Sequence, residues 1–405
     1  MTRATIVNVL AALMALTACT SETDNKETSK EQSAVETVPV IKGVTSVGDG
    51  NNHLPHLLTD TTGQVYLSYV ESRGDTSMLK YRRLNEGMQW SDAAVVATGD
   101  NWFVNWADYP MISTFAGTHF LAHYLAKNGE GTFHYEVTMQ TSADSGEHWN
   151  DPFVLHDDGK QAEHGFVSMV PYGNNFFVSW LDGRNAGEHH GEHTGAMNLR
   201  GAIVSPAGEK LEEWLLDDRV CDCCQTAAAM TDQGPVVVYR NRSEGEVRDM
   251  YITRYENGQW SEPAAIYNDD WEIHGCPVNG PRISSDGERM VIAWFTGSPE
   301  PRVQAIFSED GGKTFGDPLR IDEHSPIGRV DVELVEDGAV VSWMEGSALM
   351  AARISHTALI ERYLITNSSS SRSSGFPQME LMGDTLIFAW TDSDASNVKT
   401  GWVAL

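Results

Sequence analysis

The stretch Asp286-Gly287-Glu288-Arg289-Met290-Val291-Ile292-Ala293-Trp294-Phe295 is a Gly-bearing turn followed by a run that is apolar on nearly every residue and ends in large aromatics. The extended segment 276–284 precedes it, so the whole reads as a hairpin whose second strand is packed on both faces. The same phrase returns seven times along the chain, ending at Tyr69, Tyr124, Trp180, Tyr239, Trp294, Trp343 and Trp390, at intervals of 47 to 59 residues. That spacing is too regular for chance and too long for a helical solenoid unit. Period-2 patterning at this interval means radial blades, and the hairpin is the strand pair nearest a propeller's axis.

The outer strands of each blade are legible as well. After Tyr69 come Met78-Leu79-Lys80-Tyr81-Arg82-Arg83-Leu84 and then Trp90-Ser91-Asp92-Ala93-Ala94-Val95. After Trp390 only one further strand fits, in residues 398–405, so the outer strand of the seventh blade must come from upstream. Residues 37–47, with Val38, Val40, Ile41 and Val44, are the donor, and this closure hides both sheet edges. The expectation is an all-β propeller over residues 37–405 with seven four-stranded blades, six being the alternative if two copies merge. A ring without free edges demands no partner subunit, so a monomer is expected.

Residues 1–18 carry one basic residue, Arg3, an apolar core over residues 6–16, and then Leu16-Thr17-Ala18-Cys19. The apolar run is far short of the ~20 residues needed to span a bilayer, so it reads as an export signal. Its ending resembles the bacterial lipoprotein box, which makes Cys19 the lipidation site, with contact to the membrane only through that anchor. Residues 19–36 are rich in Ser, Thr, Glu and Lys and cannot support a core, so they read as a tether. Thr20 after the cysteine favours the outer membrane of a bacterial cell envelope under the same resemblance. With 28 Lys+Arg against 57 Asp+Glu and a net charge of −29, a polyanion is repelled at long range, which argues against nucleic-acid binding.

Ser142-Ala143-Asp144-Ser145-Gly146-Glu147-His148-Trp149 and Ser308-Glu309-Asp310-Gly311-Gly312-Lys313-Thr314-Phe315 share the pattern Ser-x-Asp-x-Gly-x-x-aromatic. In such a turn the Asp accepts backbone N–H bonds, the Gly takes positive φ and the aromatic covers the turn. Both sit between the third and fourth strands of a blade, and degenerate relatives end at Trp260 and Trp90. They resemble the Asp-boxes of the sialidase (BNR-repeat) superfamily. Asp-boxes imply the fold, not the chemistry. A sialidase also needs three arginines on the substrate carboxylate, a tyrosine activated by a glutamate, and an acid/base aspartate. The first arginine belongs to an Arg-Ile-Pro motif, and the matching place here reads Asn52-His53-Leu54-Pro55. An imidazole cannot replace a bidentate guanidinium, so His53 argues against sialic acid as the substrate. Arg184, Arg240 and Arg329 lie near the ends of inner strands, where each either faces the axial mouth or pairs with one of the many acids.

The most distinctive local sequence is Val220-Cys221-Asp222-Cys223-Cys224-Gln225-Thr226, with a further cysteine in Gly275-Cys276-Pro277. Both segments lie at the entrance to an inner strand, in adjacent blades, and the same register carries His53, His56, Asp108, His164, His274, Arg329 and Asp331. Three readings stay open: two disulfides, as suits an exported protein; a zinc or copper site built from Cys221, Cys223, Cys224, Cys276 and His274; and a redox-active Cys223–Cys224 pair. A loop containing His189, His190 and His193 reads as exposed, either a lid over the mouth or a solvated polar loop that binds metals only adventitiously. For catalysis the candidates are Asp108, Tyr239, Asp331 and Glu333, with His53, Arg184, Arg240 and Arg329 as substrate-binding residues, because paired carboxyls are what glycosidic cleavage requires. The expected function is action on extracellular glycan. The alternative is a non-catalytic glycan- or metal-binding surface protein, which calls for exposed aromatics such as Trp102, Trp106 or Trp271 at the mouth.

Overall fold

A computed structural model describes residues 41–48, 50–187 and 195–405. The signal, the tether and the histidine-rich loop lie outside the described residues, as do residues 37–40 of the expected closing strand. The chain forms seven antiparallel sheets in sequence order, each started by an inner strand at the axis: Asn52–Thr59, Met111–Phe115, His164–Tyr172, Ala227–Met230, Arg282–Asp286, Pro326–Val335 and Gln378–Met382. The seventh sheet is completed by Lys42–Ser46, which pairs antiparallel with Asn397–Ala404. The seven-bladed alternative therefore holds over the six-bladed one, and the ring closes through the chain's two ends.

Two details differ from the sequence reading. The fifth blade's inner strand begins at Arg282 rather than at residue 276, because Pro277 and Pro281 have no N–H to donate to a ladder. In the fourth blade the outer position is split: Gln259–Trp260 and Ala264–Tyr267 both pair with Met250–Glu256.

The recurring aromatic has one structural cause. Neighbouring blades diverge from the axis, and each signature side chain fills the wedge between its own blade and the preceding one. Trp180 packs with Leu125, Tyr135 and Val137 of the second blade. Tyr239 packs with Phe177, Leu199 and Val220 of the third, Trp294 with Val238 and Met250 of the fourth, and Trp343 with Val303 and Ala305 of the fifth. Tyr69 sits against Ile387, Ala389 and Val398 of the seventh, so the seam between first and last blades is built like the rest. No helix among the described residues is long and apolar enough to cross a membrane.

The two Asp-boxes form as their sequence demands. Asp144 Oδ1 accepts from Ser142 Oγ at 2.9 Å and His148 N at 2.9 Å, and Asp310 Oδ1 accepts from Lys313 N at 3.0 Å and Thr314 N at 2.9 Å. The backbone and hydroxyl donors overcome the cost of desolvation at Asp310 and hold its carboxyl at about 2.

Candidate functional site

The pairing registers align the inner strands residue by residue. The residue opposite the position just before each signature aromatic is His56, Met111, Ser168, Ala227, Arg282, Asp331 and Gln378, going round the ring. Two residues further along lie Leu58, Ser113, Val170, Ala229, Ser284, Glu333 and Glu380. Thus charged and strongly polar side chains fall on blades five, six, seven and one, while blades two to four offer small or apolar ones. All but Ala229 line one axial cavity of about 380 Å³.

On the charged arc, Asp331 Oδ2 accepts from Met379 N at 2.8 Å, and Glu333 accepts from Ser284 Oγ at 3.0 Å. Arg282 Nε lies 3.9 Å from Asp331 Oδ1, and its charge also acts on the buried Tyr109 hydroxyl. Arg282 is the only Arg or Lys among the described residues lining the cavity. Burial dominates the protonation of the acids: it raises Asp331 despite Arg282, lifts Glu380 to about 7 with the Asp331 charge adding to it, and pushes Glu333 well above the usual range with Glu380 and Asp331 reinforcing it. Burial and then the Arg282 charge lower His56 to about 3, so its imidazole is neutral.

Asp108 enters from the other arc. Its Oδ1 accepts from Phe166 N at 2.9 Å, and its Oδ2 meets no protein donor among the described residues. The close seat exists because residue 165 is glycine: a Cβ there would stand 2.1 Å from Asp108 Oδ2. Burial, reinforced by Glu163, lifts this carboxyl to about 8. Behind the wall His123 is fully buried, and neither of its ring nitrogens nor His56 Nδ1 meets a protein partner among the described residues. The cavity can therefore hold a proton on a carboxyl at neutral pH, beside one fixed cation and two neutral imidazoles.

Of the four acid/base candidates, the structure brings Asp108, Asp331 and Glu333 into this cavity. Tyr239 lies elsewhere: as a signature aromatic it is wedged between blades, 1% exposed, with its hydroxyl donating to Asp217 Oδ2 at 2.6 Å. The three arginines are also engaged elsewhere. Arg184 makes a bidentate pair with Asp182 at 2.8 and 2.7 Å. Arg240 spends its donors on the carbonyls of Arg248, Asn279 and Phe295. Arg329 donates to Ser374 Oγ at 2.7 Å and to the carbonyls of Gly375 and Ser370, and lies over Trp106 at 5.0 Å. His53 faces a separate small cavity beside Leu54 and Trp106, and burial lowers its pKa. The residues the sequence reading missed are Arg282, Glu380 and Tyr109; alignment on the signature aromatics is the signal that finds the first and places the second two residues beyond Gln378.

A Tyr–Glu hydrogen bond of the sort the resemblance calls for does occur, from Tyr135 Oη to Glu163 Oε1 at 2.8 Å, but Tyr135 is buried and covered by Phe103, 4.2 Å away ring to ring. Of the aromatics expected of a binding surface, Trp102 is buried, and Trp106 and Trp271 are half-buried with other side chains packed on their rings. Trp102 is buried against Tyr124 at 4.4 Å, Trp106 has Phe376, Arg329 and Arg372 around its ring, and Arg240 lies over Trp271 at 4.8 Å.

Outside the channel, two groups gather. His156 and His164 stack at 3.6 Å and share Asp158, at 2.7 and 3.1 Å respectively. At the entrances of blades four and five, Cys221 Sγ lies 3.0 Å from Cys224 Sγ and 4.0 Å from Cys223 Sγ, and Cys276 lines the same cavity as Cys223. All four are free thiols. His274 is separate, with its side chain 75% exposed beside Glu272.

No protein-family model and no curated protein matches this chain. Solved structures do match at the level of fold. Polysaccharide lyase Uly1 superposes with a TM-score of 0.52 at 7% identity, covering 93% of this chain and 94% of its own. The GH93 alpha-L-arabinofuranosidase of Fusarium graminearum, solved with arabinobiose, gives 0.51 at 11% identity over 91% and 97%. A mutant NanB sialidase from Streptococcus pneumoniae gives 0.45 at 8% identity over 91% and 93%. The fold is thus the seven-bladed propeller that the Asp-boxes imply.

Proposed function

We propose that this protein cleaves glycan at its axial channel, as a glycoside hydrolase-like enzyme whose substrate carries an anionic group. The observation that carries the reading is the gathering of Asp108, Asp331, Glu333 and Glu380 around a single cation, Arg282, in one cavity. Cleavage of a glycosidic bond needs one carboxyl that still holds a proton at working pH and another group to act as base or nucleophile, with their proton affinities set by environment. Asp108, lifted to about 8 and with one oxygen unpartnered, has the character of the acid. Asp331, the acid nearest Arg282 and the one whose burial-driven rise that charge opposes, has the character of the base or nucleophile. Arg282 orients the anionic substituent, the task the sequence reading gave to Arg184, Arg240 and Arg329. The solved propellers named for action on polysaccharide or arabinoside support the substrate class. The lipoprotein-type ending at Cys19 supports an outer-membrane location in a bacterial envelope, and the acidic surface supports the absence of nucleic acid among the partners.

The test is release of reducing ends from a panel of neutral and acidic polysaccharides, with Asp331→Asn as control. Cleavage of an acidic member that disappears in the variant is expected; an Asp331→Asn variant as active as the parent overturns the assignment.

A further inference from the structure

We propose that Cys221, Cys223, Cys224 and Cys276 together form a four-thiolate site for a soft cation, zinc or copper(I), that clamps the entrance of blade four to that of blade five. The sulfurs come from two separate loops: three from the turn that follows the strand Lys210–Val220, and one from the segment before Arg282. Ligand atoms of Cys221, Cys223 and Cys224 all lie within 4.8 Å of one another. Around a tetrahedral zinc with bonds of about 2.3 Å, neighbouring sulfurs stand about 3.8 Å apart; the 4.0 Å between Cys221 and Cys223 is close to that edge, and the 3.0 Å between Cys221 and Cys224, longer than a disulfide bond, has to open slightly to admit the ion. Convergence of more than two sulfurs is what a metal requires and a disulfide does not.

A second observation points the same way. Arg248 is buried, is tied to Glu246 at 2.7 Å, and donates from Nη1 to Cys221 Sγ at 3.3 Å. A guanidinium aimed at sulfur stabilises a thiolate, and a disulfide sulfur offers it little. Binding costs the thiol protons, which leave as the metal arrives. A cavity of about 420 Å³ opens onto Cys223 and Cys276 and gives the ion a route in. Soft thiolates select zinc or copper(I) over calcium or magnesium.

The clamp is linked to the channel through the next residue. Gln225, adjacent to Cys224, donates to Ala107 O at 2.9 Å and accepts from Gly280 N at 3.0 Å. It therefore ties the segment carrying Asp108 to the segment leading into Arg282. Fixing Cys224 and Cys276 on one ion fixes both ends of that bridge.

The experiment is elemental analysis and denatured thiol counting on the full-length protein prepared anaerobically, followed by titration with cobalt(II) as a spectroscopic probe and with copper(I). One equivalent of zinc or copper, or stoichiometric cobalt–thiolate charge-transfer absorption, is expected. Cys223→Ser and Cys276→Ser should each abolish it, and Arg248→Met should weaken affinity by about 10- to 100-fold as an outer-shell change. His274→Ala should leave affinity unchanged; a loss there overturns the four-sulfur composition. Absence of metal with no titratable thiols makes the cysteines disulfides and overturns the proposal. Free thiols at Cys221, Cys223, Cys224 and Cys276 that bind neither probe overturn it equally.

Discussion

Two arcs of the same channel wall make the useful contrast. Blades five, six, seven and one put Arg282, Ser284, Asp331, Glu333, Gln378, Glu380 and His56 at equivalent register positions, whereas blades two to four put Met111, Ser113, Ser168, Val170, Ala227 and Ala229 there. Antiparallel pairing with bulged and regular inner strands occurs on both sides, so the fold does not call for the charge. Four acids in a lumen of this size lower stability through burial and mutual repulsion. A repeat architecture exposes such departures from symmetry, because the quiet blades show what the position needs when it carries no chemistry.

The contrast can be broken at its strongest point first. Asp108→Asn keeps the shape and the Phe166 contact, and is expected to lower kcat by about 10²- to 10⁴-fold because the proton this carboxyl holds for the leaving group is lost. Steady-state kinetics on the cleaved glycan measures it. Arg282→Met should cost about 10- to 100-fold in kcat/KM, the loss of a charge-assisted hydrogen bond worth roughly 1.5–3 kcal/mol. The effect should concentrate in KM and spare neutral substrates.

Stability against pH sharpens the comparison from the acid side. Asp108 has a folded pKa of about 8 against an ordinary 3.8, so between those values the native protein keeps a proton that the unfolded chain has lost. Unfolding free energy therefore falls as pH rises through that window and levels off above it. Asp108→Asn should flatten the slope between pH about 5 and 7 by up to about 1.4 kcal/mol per pH unit, read by denaturant melts. The smallest effect belongs to the quiet arc. Ser168→Ala, which removes a 2.7 Å bond to Thr226, should cost about 1 kcal/mol of stability and leave kcat within about threefold.

The ring was legible in the chain because one side chain per blade does the same job, and a wedge between packed sheets tolerates only a large aromatic. The Asp-boxes were legible because Ser308 to Phe315 complete their hydrogen bonds locally. The site was legible only in part. Asp108, Asp331 and Glu333 could be placed by counting from Tyr124 and Trp343, yet Tyr239 was misplaced by the same repeat that revealed the fold, since its position is the wedge and not the lumen. Arg184, Arg240 and Arg329 stayed open between the mouth and an ion pair because the sequence does not choose Asp182, the carbonyl of Asn279 or the turn at Ser374 as the partner. Those partners are 2 to about 46 residues away, and only the three-dimensional pairing brings the distant ones in. Arg282 escaped because the prolines ahead of it shift the start of its strand.

The bond between Lys42–Ser46 and Asn397–Ala404 also orders events in time. The first described strand cannot find its place until the final one has been made, so six blades must stack and wait with an unfinished seam between Tyr69 and Ile387. Contacts of this sequence separation fold slowly and leave strand edges open meanwhile. Completion of the ring therefore rests on contacts of the longest sequence separation in the chain, and a chain whose final strand is missing exposes the inner half of its seventh blade.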